Sequence, residues 1–205
     1  MTNLFPMFLK LEGKRCLVLG AGRVGEPKIR SLLDTGADIH VVAREAGETV
    51  HDLANAGRIR LSLREFALGD LDGIFLVIVA TASRALNEAI YREAQRRGLL
   101  CNVVDDPPHC DFFYPAVVRR GALQIAISTS GKSPSLAQKL RQQLERQFGP
   151  AYAQWVEELG ETRQRVMASD LRPDRKRELL SSLAARQAFE AAVAEQSQNM
   201  EGGAA

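Results

Sequence analysis

RCLVLGAGRVG, at residues 15–25, is the stretch that decides the fold. Its first six residues, Arg15 to Gly20, are rich in β-formers and read as a strand. They run straight into Gly20-Ala21-Gly22-Arg23-Val24-Gly25, a GxGxxG that opens a helical pattern over residues 24–35 closed by Gly36. In a strand-turn-helix context this spacing has a mechanical meaning. The first glycine permits the tight turn, the second lets the backbone approach a pyrophosphate, and the third lets helix and strand pack closely, while unpaired amides at the helix N-terminus attract phosphate charge. The alternative is a glycine-rich turn that binds nothing. Pro27 is tolerable so early in the helix because the first turn's amides have no intrahelical acceptor.

Working outward, β-rich runs alternate with helical ones. Strands are expected at residues 38–43 (DIHVVA), 58–63 (RIRLSL), 74–80 (IFLVIVA) and 100–104, with helices at 48–56, closed by Gly57, and at 83–97. Such alternation means a parallel sheet with crossover helices, here a doubly wound α/β layout, and right-handed crossovers place the first three strands side by side. The continuous apolar run at 74–80 suits a strand covered on both faces. Beyond Asp106 the pattern changes. Pro107, Pro108 and Pro115 break helix, two strands meet at Gly121 (116–120 and 122–128), and Ser130-Gly131-Lys132-Ser133-Pro134 leads into a helix to about Phe148. Residues 151–194 read as helical with one break at Arg172-Pro173. The expected division is a dinucleotide-binding domain at 1–112, a small α+β region at 113–150, a helical domain at 151–195 and a frayed tail at 196–205.

The chain has 205 residues, 45% of them apolar, enough for a sizeable core. Its 27 basic and 25 acidic side chains leave +2, so no overall field draws it to nucleic acid or anionic lipid. The excess is local: residues 112–150 carry six basic side chains and one acidic. The longest apolar run, near residues 74–82, is far short of the ~20 residues a membrane helix needs, and Lys10, Glu12 and Lys14 stand where a signal peptide is apolar. A cytoplasmic protein is expected. Cys16, Cys101 and Cys110 are an odd set without CxxC spacing and read as reduced thiols.

The acid that reads a ribose belongs about 20 residues past the fingerprint, where the sequence has Arg44-Glu45. Glu45 suits a ribose 2′-hydroxyl and leans the choice to NAD; Arg44 suits the 2′-phosphate of NADP; solvated loop charges are the plain alternative. Thr81, beside the run at 74–80, joins the cofactor-binding set. Asn102-Val103-Val104-Asp105-Asp106-Pro107 ends the fifth strand with two carboxylates at the edge where open α/β sheets bind ligands, so one is placed as a general base, or else caps a turn before proline. His109, Cys110 and Asp111 follow; adjacency is poor ligand geometry, they read as a loop, and no metal ligand is assigned. Tyr91, Tyr114 and Tyr152 are not followed four residues on by lysine, and Gly131-Lys132-Ser133 lacks the earlier glycine of a Walker motif, so a YxxxK dehydrogenase and an NTPase are both excluded.

PMFLKL at 6–11, CLVLGAGRVGEPK at 16–28, NVVDDPPHCDFFYPA at 102–116 and AISTSGKSPSLAQKLRQQLE at 126–145, taken together, resemble the precorrin-2 dehydrogenase family, the N-terminal module of siroheme synthase. Ala21, Gly25 and Pro27 depart from the residues common there. The resemblance implies a Rossmann domain, a central dimerisation region and a helical region, with dehydrogenation of precorrin-2 to sirohydrochlorin by NAD and, in some members, insertion of ferrous iron. It implies a homodimer and a stand-alone enzyme without a methyltransferase domain. By position it assigns Asp105 as the catalytic aspartate and the pairs Arg23-Val24 and Arg44-Glu45 to NAD, and it puts Thr129 where some members carry a phosphoserine. A carboxylate-fringed macrocycle calls for cations, which Arg119, Arg120, Lys132, Lys139 and Arg141 offer in the basic segment, the plain alternative being a solvated helix face and ion pairs. The competing class is a regulatory or metal-delivery module that binds NAD without turnover.

Overall fold

The computed structural model describes residues 4–185 and 187–190. It divides into two compact units, the first ending at Tyr114 and the second beginning at Pro115. The first unit is the α/β sheet. Its parallel strands are β1 (Arg15–Ala21), β2 (Asp38–Ala46), β3 (Arg60–Leu63), β4 (Leu76–Val79) and β5 (Leu100–Val103), in the order β3-β2-β1-β4-β5. The helices α1 (Gly25–Leu32), α2 (Glu48–Asn55) and α3 (Arg84–Arg97) are the crossovers.

Strand alternation sorts the core into two layers. Cys16 and Val18 of β1 face a cluster with Ile29 and Leu32 of α1, Val50 of α2 and Ile78 of β4. Leu17 and Leu19 face the opposite cluster, with Val77, Val79 and Ile90 and Ala94 of α3. All four residues of β4 are buried, which is why its sequence is apolar without interruption. The strand order reverses between β1 and β4, and this switch point at the carboxyl edge is where such sheets open a crevice.

Several boundaries differ from the sequence reading. Helix α1 stops at Leu32 rather than residue 35, because its last turn tightens: Leu33 N–H bonds Arg30 O, and both the amide and the hydroxyl of Thr35 fall on Leu32 O. Strand β2 runs on through Arg44 and Glu45 to Ala46, which pairs with Ala21 after a register shift that sets three residues of β2, Ala43 to Glu45, against Gly20 of β1. Strand β3 begins only at Arg60, since the turn after α2 consumes Gly57 and Arg58.

In the second unit β6 (Ala116–Arg120) and β7 (Leu123–Ile127) form an antiparallel hairpin. Helix α4 (Pro134–Gln147) starts with Ser133 Oγ accepting the Leu136 amide and with Pro134 in the first turn. Helices α5 (Tyr152–Ala168) and α6 (Pro173–Leu183) follow. The break before Pro173 lies where the sequence puts it, but α6 itself ends at Leu183, so the stretch expected to continue as helix is interrupted there. In this unit Tyr152 meets Phe148 and Trp155 edge-on, and Phe189 packs at a tilt against Tyr152 and Trp155. The tail expected at 196–205 lies outside the described residues.

Candidate active site

The carboxyl edge of the sheet gathers the ends of β1, β2, β4 and β5. At the end of β1 the three glycines do separate work. A Cβ on Gly20, whose φ is +99°, would collide with the Ala80 carbonyl oxygen at the end of β4, and a Cβ on Gly25 would collide with the Gly20 carbonyl oxygen. Both therefore secure close approach of backbone to backbone. A Cβ on Gly22 would meet nothing within 4 Å, so its missing side chain opens space rather than filling it. The first backbone bond into α1 runs from Glu26 N–H to Gly22 O at 2.9 Å, and no side chain caps the helix. The amides ahead of Glu26 are thus left as donors at a positive helix end beside an open surface, an arrangement that fits a pyrophosphate. Arg23 and Val24 are exposed on this turn.

At the end of β2, Arg44 Nη2 donates to Glu65 Oε1 at 2.7 Å, while Glu45 is exposed and makes no hydrogen bond or ion pair among the described residues. Beyond β4, Thr81 is drawn into the start of α3: its hydroxyl bonds Asn87 Oδ1 at 2.5 Å and accepts the Ser83 amide, and Asn87 Nδ2 donates to Thr81 O at 3.1 Å. Of the cofactor set, Thr81 is the residue whose side chain is spent on its own loop.

Asp105 stands just past β5, exposed, with φ +62°, and its carboxylate has no hydrogen-bond partner among the described residues. A turn closed by Asp106 N–H on Val103 O at 3.2 Å presents it. That turn is braced by the segment returning beside β5. The Cys110 thiol donates to Val103 O at 3.1 Å and reaches Asp106 O at 3.3 Å, and the buried Asn102 donates to Phe112 O at 2.7 Å and to Cys110 Sγ at 3.3 Å. Asp106 pairs with His109 Nδ1 at 2.9 Å rather than capping the turn with its side chain, and His109 sets its ring edge-on to Tyr91. Asp111 accepts from the Cys101 amide and from Gln95. Each member of the His109-Cys110-Asp111 cluster therefore has a local task, and no group of three or more His, Cys, Asp or Glu among the described residues is arranged to hold a metal.

One side chain at this edge has no role assigned from sequence. Lys28, in the second turn of α1, is half-buried with its ammonium 3.8 Å from the centre of the Tyr114 ring. Burial lowers its pKa from the ordinary lysine value, while the charges of Asp105 and Cys110 oppose that shift. The sequence signal was a lysine one helical turn past the third glycine; its closeness to Asp105 depends on the fold.

The five cations expected at the substrate belong to the second unit and divide by environment. Arg120 donates to the carbonyls of Phe148 (2.8 Å), Glu145 (3.1 Å) and Arg119 (2.7 Å), which fastens β6 to the end of α4. Arg141 pairs with Glu145 and Gln138 along α4. Arg119, Lys132 and Lys139 are exposed and have no side-chain partner among the described residues. Thr129 Oγ1 accepts the Ser133 amide at 3.1 Å.

Comparison with known proteins adds to this geometry. Residues 7–116, more than half the chain, match a family described as putative NAD(P)-binding. The chain belongs to that family. Residues 120–147 also match the family described as sirohaem biosynthesis protein central. Among relatives of this NAD(P)-binding chain, Siroheme synthase 2 of Yersinia enterocolitica is 43% identical over 162 residues, covering 79% of the chain and 34% of the relative. Siroheme synthase of Methylococcus capsulatus is 44% identical over 140 residues, 68% of the chain and 30% of the relative. The chain thus spans about a third of the length of these relatives. A solved structure, "SirC, precorrin-2 dehydrogenase", superposes with a TM-score of 0.81 at 27% identity, covering 97% of this chain and 98% of that one.

Proposed function

We propose that this chain is an NAD-dependent dehydrogenase that converts precorrin-2 to sirohydrochlorin. The observation that carries the proposal is the sheet edge itself: an uncapped helix N-terminus beside the open Gly22 surface, and an unpartnered Asp105 carboxylate on a left-handed turn at the end of β5. End-to-end superposition on a precorrin-2 dehydrogenase supports the choice of substrate.

The turn at Gly22 and the exposed Arg23-Val24, kept tight by the close packing at Gly20 and Gly25, holds the pyrophosphate, and Glu45 takes the ribose hydroxyl. NAD, when bound, supplies the hydride acceptor. The two-electron oxidation also releases one proton from the macrocycle, and Asp105 receives it. Lys28 places positive charge near that carboxylate. Arg119, Lys132 and Lys139 are the cations available for substrate carboxylates, whereas Arg120 and Arg141 serve the second unit's own structure. Iron insertion into the product, a homodimeric assembly and a cytoplasmic location complete the proposal; for iron insertion Asp105 is again the residue suited to take a pyrrole proton.

Mixing the protein with precorrin-2 and NAD and following the NADH absorbance band tests the reading. Growth of the band, lost in Asp105→Asn, supports it. NAD binding without any NADH points instead to a regulatory or metal-delivery module.

A further inference from the structure

The pair Arg44-Glu45 permits two coenzymes on sequence grounds, one through each residue. In the structure the two are not equivalent. Both lie on the part of β2 that continues to Ala46, and Ala46 pairs with Ala21, so this segment flanks the fingerprint turn. Glu45 is without a partner, but Arg44 is held at 2.7 Å by Glu65, which follows β3 at the same sheet edge. The backbone puts Glu65 there: Arg64 N–H bonds Ala43 O at 2.9 Å, carrying the β2–β3 ladder one step past Leu63. Arg64 does not neutralise Glu65, since its guanidinium is clamped on both oxygens of Asp70, at 2.8 and 2.6 Å, and reaches only the main-chain oxygen of Glu65.

We propose that Glu65 is a specificity-determining residue of the coenzyme site, excluding a ribose 2′-phosphate by occupying Arg44 and by presenting a second carboxylate beside Glu45. The inference rests on the dinucleotide reading given under Proposed function. A 2′-phosphate carries about −1.5 to −2 charge at neutral pH. To use Arg44 it must displace Glu65, and the displaced carboxylate remains on the neighbouring strand end as an unpaired like charge. A ribose that keeps its 2′-hydroxyl needs only an acceptor, which Glu45 provides without disturbing the pair. An exposed ion pair is weak in itself, so discrimination comes from the guanidinium it denies a 2′-phosphate and from the like charge left beside that phosphate.

Titration calorimetry with NAD and with NADP on the full chain tests this in four forms: wild type, Glu65→Gln, Arg44→Ala and the double variant. Wild type is expected to prefer NAD by at least about tenfold. Glu65→Gln should strengthen NADP binding by about tenfold or more and leave NAD within about twofold, and adding Arg44→Ala should remove most of the gain, because the freed guanidinium is then missing. Unchanged NADP affinity in Glu65→Gln, a gain just as large when Arg44 is absent, or a wild type that takes both coenzymes equally overturns the assignment of Glu65. A wild type that binds neither coenzyme overturns the dinucleotide reading itself, a different failure from the other three. Both side chains are exposed, and unchanged melting temperatures in the absence of coenzyme confirm that the variants fold.

Discussion

Among the described residues only Asp105 and Ser130 are non-glycine positions with positive φ. Aspartate tolerates this region better than most residues, yet holding it there costs of order 1 kcal/mol, and such strain gathers where a side chain must be aimed. Asp105 is aimed outward from a turn that Cys110 and Asn102 brace from within. Asparagine has the same shape and is at home in left-handed backbone, so Asp105→Asn removes proton acceptance while sparing the turn. It should lower kcat by about 10²- to 10⁴-fold and leave NAD affinity unchanged, by turnover assay and calorimetry respectively. The place of Asp105 and Asp106 at the sheet edge was legible because acids that end a strand before a proline lie at the ligand-binding edge of an open α/β sheet, while the choice of Asp105 between them came from the family resemblance. Lys28 was not, since nothing local says that the segment after β5 folds back and brings Tyr114 to α1.

At the scale of elements, α3 shows how the legible parts were marked. Ser83 caps its start by accepting the Leu86 amide, and Gly98 ends it at φ +68°, both local chemistry that a sequence displays. What ties it down laterally is not local: Arg97 joins Glu93 of its own helix to Asp72, which precedes β4. Hydrogen bonds from Arg96 and then Arg97 hold the Glu93 carboxyl down at about 2, against an ordinary 4.5. A carboxyl depressed in the folded state contributes stability that is complete above its unfolded value and is lost as pH falls from about 4.5 through about 2. Glu93→Gln should therefore flatten the decline of the urea midpoint with acidification across that window while lowering the midpoint at neutral pH. A wild-type profile that does not fall faster there than the variant's removes the pair from the stability of α3. The overrun of β2 to Ala46 was missed for a related reason. Arg44-Glu45 looks like the polar end of a strand, and the pairing of Ala46 with Ala21 beyond the register shift, which no local signal announces, carries the strand past it.

For the whole molecule, the fingerprint glycines allow binding and folding to be separated. Any ligand that binds only the native state stabilises it by RT ln(1 + [L]/Kd), about 2.7 kcal/mol at a hundredfold excess over Kd, which for a chain of this size raises Tm by roughly 5–10 °C. NAD should produce such a shift in the unfolding of the chain. Gly22→Asp places its side chain where the structure has open space, so the unliganded Tm should hold while the NAD-induced shift vanishes, a carboxylate now standing against the pyrophosphate. Gly25→Ala should do the reverse at the first step: its Cβ strikes the Gly20 carbonyl, forces α1 away from β1, and lowers Tm before any coenzyme is added. Differential scanning calorimetry of the three proteins with and without NAD reads both effects. If the two substitutions behave alike, Gly22 is one more packing glycine, and the turn at residues 20–25 is a close-packed corner of the sheet rather than a seat for phosphate.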